Sequence, residues 1–390
     1  MQDILIITPL PLNNRNFDRF GIKYFNKKGF NLKIIYLERS EYILNSKVSN
    51  KFINNKIKIF KINNLFKLYK LLKFNNKFYY IDFMFYDWQK LIINFIFYLK
   101  GNIRLILNLN TLPHNIKGEK TLLFDRIKNV FRSKYADLYF MDKLKNLLFY
   151  NLQNYLDKNF FKNKTYLVYS GRKSKLKYKV KYEIKSHAYD LDLFRNNKKK
   201  VSKYIVFIDT YEENHPEDLF LKIKPVNKKL YFNSLNLFLN KIEKITKKKI
   251  IIAAHPSSPK TKTRYVGRKL IYNKTSELIK NSIFCISHST TAANFACIYK
   301  KPIIFIYSNE LLKKKINFTL ETKLQAKAFG NKAVNIDKEF SKKDISQLLK
   351  INNKNYLKYF ENYISLEKET NKYHSIELML RKLNGAPGRI

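Results

Sequence analysis

The chain has 390 residues and a mass of 46.8 kDa, which is enough for two domains that each bury a core of their own. Its 77 Lys and Arg residues against 30 Asp and Glu residues give a formal charge of +47, which favours anionic membranes and polyanionic substrates. The two cysteines, Cys285 and Cys297, are too few for a disulfide framework or a cysteine-based zinc site.

The charge alone is weak evidence for a nucleic-acid partner. The excess is mostly lysine and accompanies many Asn, Ile, Phe and Tyr residues, as an AT-rich coding sequence produces. Arginine, which binds phosphate with two parallel donors, is scarce. We therefore predict no specific nucleic-acid partner.

The N-terminus favours a cytoplasmic protein. Residues 1–9 lack both a basic segment and a long apolar core, so they are predicted to form a first strand instead of a signal peptide. The most apolar window elsewhere, 91–99, is too short to span a bilayer. Membrane association is accordingly expected to be peripheral, on an anionic inner membrane.

Strand-like runs alternate with helical stretches along the first half of the chain. We predict strands at 4–8, 32–37, 78–83, 103–109 and 166–169, and a helix at 17–28 that ends at Gly29. This alternation is typical of βαβ units in a parallel sheet.

The second half repeats the pattern after a polar stretch. Residues 195–200 are the clearest linker. Beyond them we predict strands at 204–208, 249–254, 283–286 and 302–306, and helices at 231–248, 275–281 and 291–299. The chain then divides into an N-terminal Rossmann-like domain (1–190), a second domain of the same pattern (200–340), helices that cross back to the first domain (341–384) and a tail (385–390).

The predicted fold class is α/β, with two doubly wound Rossmann-type domains that face each other across a cleft. Only nine glycines are present, and the sequence contains neither G-x-G-x-x-G nor G-x-x-x-x-G-K-[ST]. Dinucleotide enzymes and P-loop nucleotide hydrolases are therefore poor fits.

Two polar strings end predicted strands of the second domain. His255-Pro256-Ser257-Ser258 follows one strand, and Ser287-His288-Ser289-Thr290-Thr291 lies between the next strand and a helix. Hydroxyls and backbone N–H groups at a helix N-terminus bind phosphate, and an imidazole beside them can protonate a leaving group. The alternative for these strings is helix capping and a structural histidine.

An acidic loop follows the strand at 204–208. Asp209 is expected at the carboxyl end of that strand, where a carboxylate can act as a general base. Glu212, Glu213 and His215 lie in the same loop. The alternative is a solvated acidic loop, although five carboxylates within ten residues are unexpected in so basic a chain.

Several other residues are weaker candidates. Asp190-Leu191-Asp192 matches the metal-binding D-x-D pattern, but its place near the domain crossing makes a hinge or an acceptor contact as good an explanation. His187 lies beside this triplet, and His114 can reach the cleft from the first domain. His374 is predicted to lie on the surface.

The order of these strings resembles that of bacterial sialyltransferases and polysialyltransferases, and of the related transferases of Kdo and other nonulosonic acids used in capsules and lipopolysaccharide. The resemblance covers about 204–306, and it is most specific in Ser287-His288-Ser289-Thr290-Thr291-Ala292-Ala293-Asn294-Phe295-Ala296 with Lys301-Pro302-Ile303-Ile304 after it. It implies a GT-B fold, with the acceptor side on the N-terminal domain (1–190) and the nucleotide-sugar donor on the C-terminal domain (200–340). It further implies a CMP-activated donor sugar, inverting transfer to a cell-surface glycan or glycolipid, and neither metal nor cofactor.

The resemblance also implies roles for individual residues. His255 contacts the CMP phosphate or assists its departure, Pro256 shapes the nucleotide pocket, and Asp209 deprotonates the acceptor. The implied donor-binding residues are His255, Pro256, Ser257, Ser287, Ser289, Thr290 and Thr291. Two departures stand out: no glycine follows Asp209, where the family has an acidic pair and glycine, and His215-Pro216 is a second His-Pro pair.

Other functions remain open from the sequence. A GT-B transferase or epimerase can use a UDP- or GDP-sugar at the same kind of helix-terminus phosphate site. A non-catalytic polyanion-binding protein would instead depend on the +47 charge, and its binding would fall steeply with salt.

Overall fold

The structure is a computed structural model that describes residues 3–9, 14–37, 57–62, 78–84, 88–113, 139–194, 204–215, 218, 225–260, 262–366 and 373–384. The predicted linker at 195–200 and the tail at 385–390 lie outside these residues.

The first half of the chain forms one parallel sheet. Its described strands are β1 (Asp3–Thr8), β2 (Asn31–Leu37), β3 (Ile57–Ile62), β4 (Tyr79–Asp82), β5 (Ile103–Asn108), β6 (Thr165–Tyr169) and β7 (Tyr182–Lys185), in the order β3-β2-β1-β4-β5-β6-β7. The helices of this part are α1 (Asn14–Arg19), α2 (Ile22–Lys27), α3 (Trp88–Leu99) and α4 (Tyr139–Asn159). Because the strand order reverses beside β1, the sheet is doubly wound.

The second half forms another parallel sheet with the same winding. Its described strands are β8 (Ile205–Ile208), β9 (Ile250–Ala254), β10 (Leu270–Tyr272), β11 (Cys285–Ser287), β12 (Ile303–Tyr307) and β13 (Val334–Asn335), in the order β10-β9-β8-β11-β12-β13. The helices are α5 (Tyr189–Phe194), α6 (Lys228–Thr246), α7 (Thr275–Asn281), α8 (Ala293–Ile298), α9 (Asn309–Lys314), α10 (Ile316–Ala328), α11 (Lys342–Leu348), α12 (Asn353–Tyr359) and α13 (Ser375–Asn384). The predicted α/β class with two doubly wound sheets is confirmed.

Strand β8 shows why these segments form a central strand. All four of its residues are buried, and it pairs in parallel with β9 on one side and β11 on the other. A strand covered on both faces requires a continuous apolar run, and the run Ile-Val-Phe-Ile meets that need. Helix α6, which covers one face of the sheet, starts at the Asn227 cap, whose side chain accepts from the N–H of Leu230.

The C-terminal helix α13 belongs to the core of the first sheet. Its residues Ile376, Met379, Leu380 and Leu383 are buried in the same hydrophobic cluster as β1 and β2. Ala188 and Leu191, at the start of the crossing, are buried in the cluster of the second sheet. The chain therefore joins the two sheets by two separate segments.

The predicted helix at 17–28 and the set of predicted strands need correction. The single helix predicted at 17–28 is two helices, because Gly21 adopts a left-handed φ of 71° between α1 and α2. A Cβ at Gly21 would lie 2.6 Å from a side-chain carbon of Ile376 in α13, so the glycine also makes room for that helix. Strands β3 and β7, at the edges of the first sheet, and β10 and β13, at the edges of the second, have no counterpart in the sequence prediction.

Within the described part of the chain, no helix combines the length and the apolar composition that spanning a membrane requires.

The close contact between Gly171 and residue 362 tests how the C-terminal part of the chain packs against the first sheet. A Cβ on Gly171 would lie 2.1 Å from the backbone oxygen of Asn362, and the neighbouring Ser170 hydroxyl donates to the carbonyl of Tyr363. We expect Gly171→Ala to lower the free energy of unfolding by about 2 kcal/mol, because the backbone at 362 must move. Urea denaturation measures this, with the exposed Lys173→Ala as control; equal stability of the two variants would contradict the packing.

Candidate functional site

Three strand ends meet at one edge of the second sheet. The parallel register aligns Ile208 with Ala253 of β9 and with Ser287 of β11. The segments that begin at Asp209, His255 and His288 therefore leave the sheet side by side. Strand β8 is also where the strand order reverses, and ligands of open α/β sheets bind at such a point.

Asp209 ties two of these segments together. One carboxylate oxygen accepts from the N–H of Tyr211 at 2.8 Å, and the other accepts from the N–H of His255 at 3.4 Å. The second oxygen also lies 3.7 Å from a guanidinium nitrogen of Arg264. Both oxygens of this buried side chain are thus engaged within the protein.

His255 stands among other rings at this edge. Its ring is stacked with that of Tyr211 at a centroid distance of 6.0 Å and lies 5.6 Å from that of His215. The two His-Pro pairs of the sequence therefore bring their histidines to one place. The His255 Nδ1 atom accepts from the N–H of Ser257, so the neutral ring carries its proton on Nε2. Pro256 and Ser257 are exposed beside it.

Arg264 is a charged residue of this edge that the sequence analysis missed. Its side chain is only 9% exposed and lies 5.1 to 5.2 Å from the ring centroids of Tyr211, Phe232 and Tyr265. It forms ion pairs with Asp209 and Glu213. Its Nε and Nη1 atoms have no hydrogen-bond acceptor among the described residues. The scarcity of arginine in the chain is the signal that can single it out.

Glu212 and Glu213 are buried, so the solvated-loop alternative does not describe them. Burial raises the pKa of Glu213 to about 7 against the opposing charge of Arg264. Burial likewise raises the pKa of Glu212 to about 7 against the charge of Lys315. The Lys315 ammonium donates to the Glu212 carboxylate at 2.9 Å and also pairs with Asp218. Lys315, at the junction of α9 and α10, was also missed from the sequence.

The first part of the second polar string is structural. Ser287 is fully buried in β11, and its hydroxyl donates to the carbonyl of Ile208 at 3.5 Å. His288 is fully buried as well, and its ring nitrogens lie 2.7 Å from the carbonyl of Ile306 and 2.8 Å from the Tyr231 hydroxyl. Burial lowers the pKa of His288 to about 4. The ring is therefore neutral, with Nδ1 donating and Nε2 accepting.

The expected free N–H groups of the string are already occupied. The N–H of Ser289 donates to the hydroxyl of Thr322, and that of Thr290 donates to the side-chain oxygen of Gln325. The helix begins at Ala293, whereas the sequence predicts a start at Thr291. Ser289 keeps one free group, because its buried hydroxyl has no hydrogen-bond partner among the described residues.

The remaining candidates lie elsewhere, where the chain crosses between sheets. His187 is fully buried, with one ring nitrogen 2.9 Å from the carbonyl of Tyr373. Asp192 accepts from the N–H and hydroxyl of Ser375, and Asp190 accepts from the side chain of Asn294. His187 and the D-x-D triplet therefore stabilise the segments by which the chain passes between the two sheets. Among the described residues, no group of three or more His, Cys, Asp or Glu side chains is arranged to hold a metal ion.

Two histidine predictions have different outcomes. His374 is not a surface residue: its ring stacks on that of Tyr24 at 3.7 Å and lies 3.3 Å from Asp192. His114 lies outside the described residues.

Known proteins resemble this chain in their structures and not in their sequences. No family model and no curated protein matches the sequence. Among solved structures, the chain is similar to S. aureus MnaA with UDP (TM-score 0.50, 11% identity, 100% of each chain covered). It is also similar to Phytolacca americana UGT2 with UDP-2fluoro-glucose and pterostilbene (0.52, 8%, 98% of this chain and 99% of that one) and Arabidopsis thaliana UGT89C1 with UDP-L-rhamnose (0.50, 8%, 98% of each).

This likeness concerns the fold, because the sequence identities are low. The predicted GT-B architecture is confirmed. The narrower resemblance to sialyl- and Kdo-transferases has no support from these three structures.

Buried His288 gives a test of the site's framework. A folded pKa near 4 and an unfolded pKa near 6.5 mean that the unfolded chain binds more protons between these values, so stability falls as the pH drops. We expect this histidine to cost about 2 kcal/mol of stability between about pH 7.5 and pH 5. In His288→Asn, whose amide can still donate to Ile306, that part of the pH dependence disappears.

Urea denaturation of both proteins at the two pH values measures the effect. Other titrating groups, including Glu212 and Glu213, are common to both proteins and cancel in the difference. An identical loss of stability in both proteins would show that His288 is not held neutral.

Proposed function

We propose that the chain is a glycosyltransferase that uses a nucleotide-activated sugar, with the donor phosphate bound at the carboxyl edge of the second sheet. The observation that carries the proposal is the meeting of Asp209, His255 and Ser289 at the ends of three adjacent parallel strands in a GT-B fold. This is the edge at which an open α/β sheet receives a ligand.

Three groups at this edge are suited to the donor phosphate. The neutral ring of His255 carries its proton on Nε2, which can donate a hydrogen bond. The buried Ser289 hydroxyl can donate one as well. Arg264 supplies a fixed positive charge nearby, held between aromatic rings. As the bond from the anomeric carbon to the phosphate oxygen breaks, negative charge grows on the nucleotide, and donors fixed in advance stabilise that charge.

The donor nucleotide has two candidates, each with its own support. The three similar structures contain UDP or a UDP-sugar, which supports a UDP-linked donor. The His255-Pro256 and Ser289-Thr290 strings, which follow the two strands that flank β8, support a CMP-linked donor such as a sialic acid, another nonulosonic acid or Kdo. We favour the UDP-sugar, because the likeness behind it covers almost the whole chain.

Glu213 is better suited than Asp209 to take the acceptor proton. A general base works best when its pKa lies near the working pH, and the pKa of Glu213 is about 7. One oxygen of Glu213 also has no hydrogen-bond partner among the described residues. Asp209 already accepts from two backbone N–H groups, so we assign it the role of positioning His255 and Tyr211.

Nucleotide binding tests the site directly. In titration calorimetry, we expect the wild-type protein to bind one of the two nucleotides, UDP or CMP, and not the other. We expect His255→Ala to weaken that binding roughly tenfold to a hundredfold, because a hydrogen bond to a charged phosphate is lost. The exposed Lys269→Ala, just before the edge strand β10, is the control and should bind as the wild type does.

The outcomes separate the alternatives. Tight binding of CMP without UDP would replace the favoured donor with the CMP-linked one. Sugar product formed without any acceptor would indicate an epimerase. If neither nucleotide binds, or if His255→Ala binds as well as the wild type, the proposed site is wrong.

The pH dependence of turnover identifies the base. We expect kcat/KM to rise with pH and to level off above a midpoint near 7, because Glu213 must lose its proton to act. In Glu213→Gln we expect this limb to vanish and kcat/KM to fall about 100-fold. Asp209→Asn should keep the limb. A profile in which Asp209→Asn loses the limb and Glu213→Gln retains it would make Asp209 the base.

A further inference from the structure

Helix α3 presents a continuous apolar stripe to solvent. Trp88, Ile92, Phe95 and Leu99 recur at spacings of four and three residues, so they lie along one side of the helix. They are between 40% and 66% exposed. The opposite side, with Ile93 and Phe97, is buried against the first sheet. The helix therefore has two apolar sides, and the described residues of the chain cover only one of them.

Helix α4 carries a second exposed stripe. Leu148, Leu152 and Tyr155 follow the same spacing, Phe160 comes just after the helix, and all four are between 48% and 59% exposed. The ends of the two helices are joined where the Lys164 ammonium donates to the carbonyl of Tyr98, whose ring lies 5.3 Å from that of Phe161. We call these eight residues the apolar face: Trp88, Ile92, Phe95, Leu99, Leu148, Leu152, Tyr155 and Phe160.

Among the described side chains, the exposed charges on the two helices and just after them are positive. Lys100, Lys145 and Lys158 are exposed at the helices that carry the apolar face. Among the described side chains of these two helices, the only carboxylate is that of Asp157, which is buried in an ion pair with Arg104 at 2.7 Å. Exposed lysine with no exposed carboxylate is the pattern that suits an anionic surface.

We propose that the apolar face docks on an anionic lipid bilayer, with its side chains in the headgroup region and the lysines on the acidic headgroups. Bulky apolar and aromatic side chains flanked by lysine are typical of helices that lie in the plane of a membrane interface. The tryptophan and tyrosine suit the boundary between lipid and water. The inference does not depend on the proposed catalytic function.

The only tryptophan of the chain lies on this face, which makes the docking directly visible. Vesicles of phosphatidylcholine mixed with an equal part of phosphatidylglycerol should shift the Trp88 emission to shorter wavelength. Sedimentation with the vesicles should give the affinity. Phosphatidylcholine vesicles alone should bind much more weakly, and added salt should weaken the binding to the anionic vesicles.

Two matched variants separate the apolar face from the overall charge. In Phe95→Ser/Leu99→Ser we expect binding to anionic vesicles to fall at least about tenfold, because two apolar side chains no longer enter the interface. Leu237→Ser/Leu357→Ser removes leucines that are 70% and 61% exposed elsewhere and should bind like the wild type. Neither change alters the net charge, and circular dichroism and thermal melting of each variant check that it is folded.

Three results would overturn the proposal. The first is the absence of binding to anionic vesicles at low salt. The second is unchanged binding of Phe95→Ser/Leu99→Ser, which would assign the binding to surface charge elsewhere. The third is a wild-type dimer in sedimentation velocity that this variant converts to a monomer, because the apolar face would then bind a second copy of the chain.

Discussion

The parallel pairing of β8 with both β9 and β11 is the constraint on which the candidate site depends. It fixes Ile208 level with Ala253 and Ser287, so the three polar segments that follow must leave the sheet together. Asp209 strengthens this arrangement by accepting from the N–H of Tyr211 and of His255. His255 is thereby held beside the same carboxylate that Arg264 approaches.

Burial of charge at this edge carries a cost that the fold only partly offsets. Desolvation of an ionised group is unfavourable by several kcal/mol, and an ion pair recovers that loss only with good geometry. Arg264 has donors with no acceptor among the described residues, and the pKa values of Glu212 and Glu213 are near 7 in spite of their cationic partners. Strongly shifted pKa values cluster at functional sites, where burial and charged neighbours are arranged to shift them.

The described structure divides the histidines and aspartates into two groups. Some lie at the candidate site, and others are buried and hold the framework together. His255 stands at the strand edge among other polar groups, whereas His187 and His288 are enclosed and hold the framework. Asp192 likewise serves the crossing between the sheets, where it binds Ser375 at the start of α13. The crossing and the candidate site are therefore built by different residues.

The sequence alone determined the fold class, the parallel winding of both halves and the strand ends that carry Asp209, His255 and Ser289, because apolar periodicity and turn residues are local properties. It did not indicate Arg264 or Lys315, which join the acidic loop from segments about 50 and 100 residues further along the chain. It did not reveal that α10 occupies the N–H groups of Ser289 and Thr290, or that the first predicted helix breaks at Gly21, where Ile376 of α13 approaches closely. Burial and long-range partners decide whether a polar residue is free to bind or fixed in the framework, and only the tertiary structure supplies both.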